Sequence, residues 1–350
     1  MNNKIIYVLH EHGEPSHYLA LEKLAEQNNC IVKYYEFLLY RQFKSCLKRP
    51  FKVFRLIRNI WFLVSLPYRK PIKVVVGIAP FNSLLPRLRD MLSKHETYFH
   101  TSYFCWDGTS YFHRPASWEV VAVWKKWVSS EIKHVFSVSE ATKKQLVDHN
   151  YAIPSRVTVV YHSYNEKLLP VNHFIKTNTF LYVGRLEEAK GISELLAYFE
   201  KNSDLSLTIV GDGPNRDEVL RYSLKNSNIH YVGYVKSLKE IMFYYQTNSF
   251  LVLNSHKNKS WEELFGMVLP EGMACGCVPI ATDHSGPKEV ITNEIDGFLC
   301  PEGQICDYIN SAAQMSNEKY QSMRECAIRR GMNFSSDIVA QRWSILFEKN

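Results

Sequence analysis

The sequence predicts an α/β protein built as two consecutive doubly wound units. Three observations lead there. Short β-branched runs alternate with amphipathic stretches along the 350 residues, the pattern of parallel strands joined by crossover helices. The alternation pauses in a polar stretch at 170–179 and then restarts. A composition of 46% hydrophobic and 22% charged residues excludes disordered, collagen-like and coiled-coil chains, and the length exceeds what one compact core usually holds.

In the first half, strands are expected at Ile5–Leu9, Ile31–Tyr35, Lys73–Ile78, Thr97–Thr101, His134–Ser137 and Val157–Val160, with helices at His17–Gln27, Ser83–Ser93, Trp118–Ser129 and Glu140–Asn150. Polar starters such as Ser16, Ser117 and Ser139 precede several of these helices. The second half repeats the pattern with strands at Phe180–Val183, Leu207–Val210, Ile229–Val232, Phe250–Leu253, Val278–Ala281 and Gly297–Leu299. Helices are expected at Ile192–Lys201, Arg216–Lys225, Lys236–Gln246, Pro270–Cys275, Lys288–Thr292 and Gln304–Met315. The expected domains are residues 1–170, 171–330 and a terminal segment 331–350. Open α/β sheets bind ligands at the carboxyl ends of their strands.

No apolar run approaches the ~20 residues of a membrane span, and the start reads as a buried strand rather than a signal peptide. Eight cysteines without a C-x-x-C pair fit free thiols in a reducing compartment, so a cytoplasmic protein is expected. The thirteen histidines show no metal-ligand spacing, and His10-Glu11-His12 reads as strand-end loop chemistry, so no metal site is expected.

The net charge of +7 has one source. Ten Lys and Arg residues and no carboxylate fall between Arg41 and Lys73, and removing those ten leaves −3. Val53, Leu56, Ile57, Ile60 and Val64 recur there at helical spacing, joined by Phe54 and Trp61, which describes a basic amphipathic helix. One reading is a core-facing helix with a solvated basic side. The functional reading is an anionic membrane surface met by Lys48, Arg49, Lys52, Arg55, Arg58 and Trp61, with roughly 1 kcal/mol per basic residue near the lipid. Nucleic acid is not an expected partner, because no recognition motif is present and the rest of the chain is slightly acidic.

Four strand-end segments carry chemistry. Gly184-Arg185-Leu186-Glu187-Glu188-Ala189-Lys190-Gly191 joins a strand to a helix and offers a forked cation, a compact cation and helix-start amides, the donors a diphosphate needs. Gly211-Asp212-Gly213-Pro214 is by itself a turn. Glu263 and Glu271 stand eight apart around Gly266. A glycine-containing loop entering a helix places them as two separated acceptors for hydroxyls at opposite ends of one elongated ligand. The alternative is that Glu271 complements a helix dipole and Glu263 is solvated. Asp283-His284-Ser285-Gly286-Pro287-Lys288 is a fourth loop that starts a helix.

In this order, and joined by Gly233-Tyr234-Val235 and Cys277 to Ile291, these segments resemble the retaining glycosyltransferases of family 4, which have the GT-B fold. That resemblance implies two Rossmann-like domains facing a central cleft, with a C-terminal helix crossing back to the N-terminal domain. It implies a nucleoside diphosphate sugar as donor, with Arg185 and Lys190 on the diphosphate and Glu263 on sugar hydroxyls. Phe265, Gly266 and Met267 would supply backbone amides, Gly184, Gly211 and Val268 would line the donor site, Tyr234 and Val235 would meet the base, and Glu271 the ribose. His100 is the expected strand-end histidine near the reacting carbon, with His113 second. His12 and Gly13 occupy the place of the family's glycine-rich loop. Trp106 and Asp107 are assigned to the acceptor side, where the aromatics Tyr103, Phe104, Trp106 and Tyr111 have two readings, as stacking faces for sugar rings or, for half or more of them, as core.

The implied reaction is metal-independent transfer of a hexose with retention to a glycan or lipid-linked acceptor, without further cofactor, in bacterial surface polysaccharide or lipopolysaccharide synthesis at the inner face of the cell membrane. Competing readings are a sugar-nucleotide epimerase or hydrolase of the same fold, and an inactive nucleotide- or membrane-binding module. A dehydrogenase is disfavoured because no G-x-G-x-x-G follows an early strand.

Overall fold

The computed structural model describes residues 4–11, 16–48, 53–103, 105–110, 114–164, 167–171, 176–258 and 261–348. The chain divides into a first unit, Met1–Ser163 with Val339–Asn350, and a second, Tyr164–Ile338.

The first unit is a parallel sheet of β1 (Lys4–His10), β2 (Cys30–Glu36), β3 (Lys73–Gly77), β4 (Glu96–Thr101), β5 (Val135–Ser137) and β6 (Val157–Val159), in the order β2-β1-β3-β4-β5-β6. Successive residues of a strand point to opposite faces, and the two cores of this unit are built from that alternation. Ile6 and Val8 join Val75, Tyr98 and Phe136 on one face, whereas Tyr7 and Leu9 join Val74, Val76, Phe99 and Val135 on the other. Both faces being covered, Val74-Val75-Val76 is one continuous apolar run. The first face is closed by α1 (Leu19–Gln27) and, from the far end of the chain, by Val339, Ala340, Trp343 and Leu346. This return runs through a short helix, Ser336–Ala340, and 3-10 turns over Gln341–Phe347. Lys73 Nζ anchors it by donating to the Leu346 carbonyl at 2.7 Å.

The basic segment forms two helices, α2 (Leu39–Lys48) and α3 (Val53–Ser65). Leu56, Asn59, Phe62 and Leu63 of α3 are buried, so the core-facing reading holds for one side. Phe54, Ile57, Trp61 and Val64, continued by Tyr68, form a second apolar stripe at i, i+3, i+7 spacing, with Phe54 78%, Trp61 63% and Tyr68 86% exposed. Arg58 donates to the Tyr34 carbonyl at 3.1 Å and stacks on Tyr35, Arg55 lies 4.0 Å from Glu36, and Arg69 lies 5.0 Å over Trp61. Arg49 and Lys52 lie outside the described residues, as does the side chain of Lys48. No helix among the described residues is long and apolar enough to cross a membrane.

The second unit is a parallel sheet of β7 (Thr179–Val183), β8 (Ser206–Val210), β9 (Ile229–Gly233), β10 (Phe250–Leu253), β11 (Val278–Thr282) and β12 (Phe298–Cys300), ordered β9-β8-β7-β10-β11-β12. This is the doubly wound order 3-2-1-4-5-6, whose switch point lies between β7 and β10. One face packs α7 (Ile192–Lys201) and α8 (Arg216–Lys225) through Leu195, Leu196, Phe199 and Val219. On the other, Gly272 lets α10 (Val268–Cys275) close on Leu251 and Tyr245: a Cβ there would stand 2.7 Å from Leu251 Cδ2. Two helices begin earlier than the sequence suggests. That of Lys288–Thr292 occupies Ser285–Val290, and Pro270 is the third residue of α10 rather than its first. In both, the proline sits in the first turn, where its missing N–H has no intrahelical partner to lose.

Candidate active site

The loops leaving β7 and β8 are zipped together by backbone. Gly184 N–H donates to Val210 O at 3.0 Å, Leu186 N–H to Asp212 O at 3.0 Å, and Asn215 N–H to Leu186 O at 2.9 Å. The approach is so close that a Cβ on Gly211 would lie 1.8 Å from Gly184 O. Beyond Lys190, Gly191 adopts a left-handed φ of 62° and turns the chain into α7.

Five expected donor residues, Gly184, Arg185, Gly211, Tyr234 and Val235, line a single cavity of about 460 Å³ with Val183, Val210, Asp212 and Ile241. That volume lies in the range of small-molecule sites. Arg185 is held only at its edge, 3.2 Å from Glu187, with its side chain 72% exposed. Lys190 is 17% exposed; its ammonium is bonded to Glu263 Oε2 and lies 4.7 Å over the Trp261 ring. Ser255 donates to the same Glu263 oxygen at 3.0 Å. The sequence singles out neither Ser255 nor Trp261, which share the long loop after β10 with Glu263; it marks the loop of His284, after β11, but not that loop's contact with Glu263, which arises only in the fold.

Phe265 is buried and Gly266 takes a φ of 73°, which brings Met267 to the start of α10. No side chain caps this helix, and the Met267 and Val268 amides stand at an N-terminus suited to an anion or a hydroxyl oxygen, whereas Leu269 N–H already donates to Gly266 O at 2.9 Å. Glu271 sits in its first turn. Burial pushes its carboxyl up to about 7, against the pull of Tyr245, whose hydroxyl donates to Oε2 at 3.0 Å.

Glu271 makes stability depend on pH with a definite sign. The folded chain keeps this proton up to about pH 7, whereas the unfolded chain releases it near 4.5. The folded state therefore binds more protons across that window, and stability falls as pH rises through it, by roughly 3 kcal/mol. Glu271→Gln is expected to raise the melting temperature of the unliganded protein at pH 8 and to leave it unchanged at pH 4.5. A shift of equal size at both values would contradict this.

In the first unit, His100 lies in β4, nearly fully buried, with Nδ1 3.1 Å from the Tyr18 hydroxyl. Burial, with His17, His162 and His10 nearby, holds its pKa well below the ordinary 6.5, so the ring is neutral. His17 lies at ring-centroid distances of 5.3 Å from His10 and from His100, and 5.4 Å from His162, whose pKa burial pushes down to about 4. Trp343 of the returning segment packs on His100 at 5.3 Å. The sequence singles out His100 but not this cluster, whose members come from four separate segments. Among the described residues no group of His, Cys, Asp and Glu is arranged to hold a metal ion.

Trp106 is a core residue. It is 1% exposed, donates to Tyr103 O at 2.9 Å and packs against Phe81, Phe99, Trp124 and Tyr151, so its ring presents no open stacking face. Tyr103 is also buried. Asp107 is exposed and closes a turn by accepting from Thr109 N–H at 2.9 Å. His12, Gly13, Phe104, Tyr111 and His113 lie outside the described residues.

Residues 166–331 match the family model described as "Glycosyl transferases group 1". An uncharacterized glycosyltransferase of Methanocaldococcus jannaschii is 29% identical over 212 residues, which are 60% of this chain and 56% of that protein. The capsular polysaccharide biosynthesis glycosyltransferase CapM of Staphylococcus aureus is 25% identical over 232 residues, 59% of this chain and 58% of that one. The chain thus spans a little over half the length of these two relatives. Among solved structures, HepE of Anabaena in complex with UDP superposes with a TM-score of 0.69 at 15% identity, covering 98% of this chain and 99% of that one. The chain has the GT-B fold, and the stretch similar to the glycosyl transferases group 1 model lies within its second unit.

Proposed function

We propose that this protein is a retaining glycosyltransferase that moves a hexose from a nucleoside diphosphate sugar, with uridine as the nucleoside as in the UDP complex of HepE, to a glycan or lipid-linked acceptor. The observation that carries the reading is the Lys190–Glu263 pair, whose lysine lies on the same loop after β7 as Gly184 and Arg185, two residues that line the cavity. The pair holds a cation and a hydroxyl acceptor within one bond of each other. The base and ribose occupy the cavity by Tyr234 and Val235, with the ribose hydroxyls donating to Glu271. The diphosphate takes Lys190 from Glu263 and draws in the exposed Arg185, which frees Glu263 for the sugar hydroxyls.

During transfer the bond between the anomeric carbon and the phosphate oxygen breaks. The acceptor oxygen bonds to that carbon from the same face, and the acceptor proton passes to the leaving oxygen. Charge builds on the leaving diphosphate, so the two cations and the α10 amides supply the main stabilisation. This arrangement invokes no metal and no further cofactor. Incubation with UDP-glucose and UDP-N-acetylglucosamine, followed by NMR of the product anomer, tests the reading. An acceptor-dependent α-glycoside supports it, whereas free sugar or an isomerised nucleotide formed without acceptor would replace it with the hydrolase or epimerase alternative.

The acceptor is lipid-linked in this reading, and α3 is what supports it. Its exposed stripe is aromatic and aliphatic, and the flanking Arg and Lys side chains suit anionic headgroups. Work on the inner face of a cell membrane, in surface polysaccharide or lipopolysaccharide synthesis, follows from that placement and from the role CapM's name gives that relative. The protein is expected to float with anionic vesicles and not with neutral ones at 0.1 M salt. The double variant Phe54→Ser, Trp61→Ser should lose this binding while keeping its affinity for UDP. Equal flotation on both lipids would remove the membrane from the account.

A further inference from the structure

The Glu263 peptide is gripped on both sides by one loop. Its N–H donates to His284 Nδ1 at 3.2 Å, and its carbonyl accepts from Gly286 N–H at 3.0 Å. Ser285 Oγ holds the preceding residue, donating to Glu262 Oε1 at 2.5 Å. The loop and Glu263 fit without slack: a Cβ on Gly286 would stand 2.2 Å from Phe265 N.

His284 is the pivot of this grip. A backbone amide can only donate, so Nδ1 is the acceptor and Nε2 carries the ring proton. That proton is given to Glu302 Oε1 at 2.7 Å. The His284 side chain is 3% exposed, so no solvent stands in for either bond. Glu302 in turn accepts from the Lys257 amide at 2.9 Å and lies 3.7 Å from His256 Nδ1. His256 reaches Glu194 through Nε2 at 3.2 Å, and its own amide donates to Ala189 O at 2.8 Å, next to Lys190. The chain of contacts therefore runs from the loop that carries Lys190, through the loop after β10 and the loop after β12, to the peptide of Glu263.

We propose that His284, oriented by Glu302, is a positioning residue that fixes Glu263 for its work on the donor sugar. The inference rests on the proposed function for what Glu263 does, and on geometry alone for how Glu263 is held. His284 touches neither the cavity nor the diphosphate cations. Its effect falls on the aim of one carboxylate, and a misplacement of about 1 Å at a reacting centre can lower a rate as much as 10²-fold.

Two substitutions separate the two ring nitrogens. In His284→Asn the side-chain oxygen stands where Nδ1 does and keeps the Glu263 amide paired. In His284→Gln the amide reaches Glu302 and leaves the Glu263 N–H without its acceptor. Hydrogen exchange of the peptide spanning 261–265 is expected to be close to wild type for Asn and roughly 10-fold faster for Gln. With UDP-glucose as donor, kcat should stay within about 3-fold for Asn and fall roughly 10–100-fold for Gln, with KM for the donor little changed. The dissociation constant of UDP, which has no sugar for Glu263 to meet, should stay the same in both. Equal exchange in the two variants overturns the proposal, as does a parallel loss of UDP affinity. A wild-type protein that turns over no nucleotide sugar counts against the transferase reading, and the exchange measurement still decides how Glu263 is held.

Discussion

Lys190→Ala is expected to slow transfer from a nucleoside diphosphate sugar by roughly 10²–10³-fold, the usual consequence of losing one preorganised donor to a developing charge. Two features place Lys190 above Arg185 in this respect. Its ammonium is largely withdrawn from solvent between Glu263 and the Trp261 ring, where the local dielectric strengthens any interaction with a phosphate oxygen. Arg185, by contrast, is mostly exposed and must be drawn in by the ligand. Removing Lys190 also leaves Glu263 next to the site without its cation, so the carboxylate then repels the incoming diphosphate. Lys190→Arg restores little, because a planar fork cannot replace a point charge in a space shaped by Trp261 and Ser255. Initial rates at saturating UDP-glucose check this, and an unchanged kcat in Lys190→Ala would remove the residue from the mechanism.

Gly211→Ala is expected to unsettle the whole nucleotide cavity. The added Cβ would fall 1.8 Å from Gly184 O, and neither loop can retreat, because the two are tied by the Gly184, Leu186 and Asn215 amides. Overpacking of this kind usually destabilises by roughly 1–3 kcal/mol, and the positive φ of 153° adds strain. A fall of roughly 5–10 °C in the melting temperature of the second unit follows for a domain of this size. UDP should no longer protect that unit. Gly303 provides the control: its φ is 80°, but nothing lies within 4 Å of a Cβ there. Gly303→Ala therefore isolates the backbone term and should shift melting by less than half as much. Equal shifts in the two variants would mean that the close approach of the first two strand-end loops does not matter.

Much of the architecture is legible in the sequence because doubly wound sheets write themselves locally. Each buried parallel strand is a short apolar run, and each carboxyl end is marked by glycine or a polar turn. That is why Gly184, Gly211 and Gly266 stand where the chain turns. The two glutamates are legible for a related reason: Gly266 and Pro270 announce a loop entering a helix, which separates Glu263 from Glu271. What resists reading is contact between loops distant in the chain. Nothing near Glu263 indicates that His284, twenty-one residues on, accepts its amide, or that Glu302 orients that ring. Burial misleads in the opposite direction at Trp106, since an aromatic near a strand end suits a sugar platform and a hydrophobic core equally well. The helix of Val53–Ser65 is apolar on two sides, so a one-dimensional pattern reports its hydrophobicity without saying which stripe the core takes.

A crystal structure of the protein with UDP-glucose decides how the donor is held. The diphosphate is expected on Lys190 and Arg185, the ribose hydroxyls on Glu271, the base against Tyr234 and Val235, and Glu263 released from Lys190 to the glucose hydroxyls. A nucleotide bound elsewhere, with Lys190 still paired to Glu263, would contradict this arrangement.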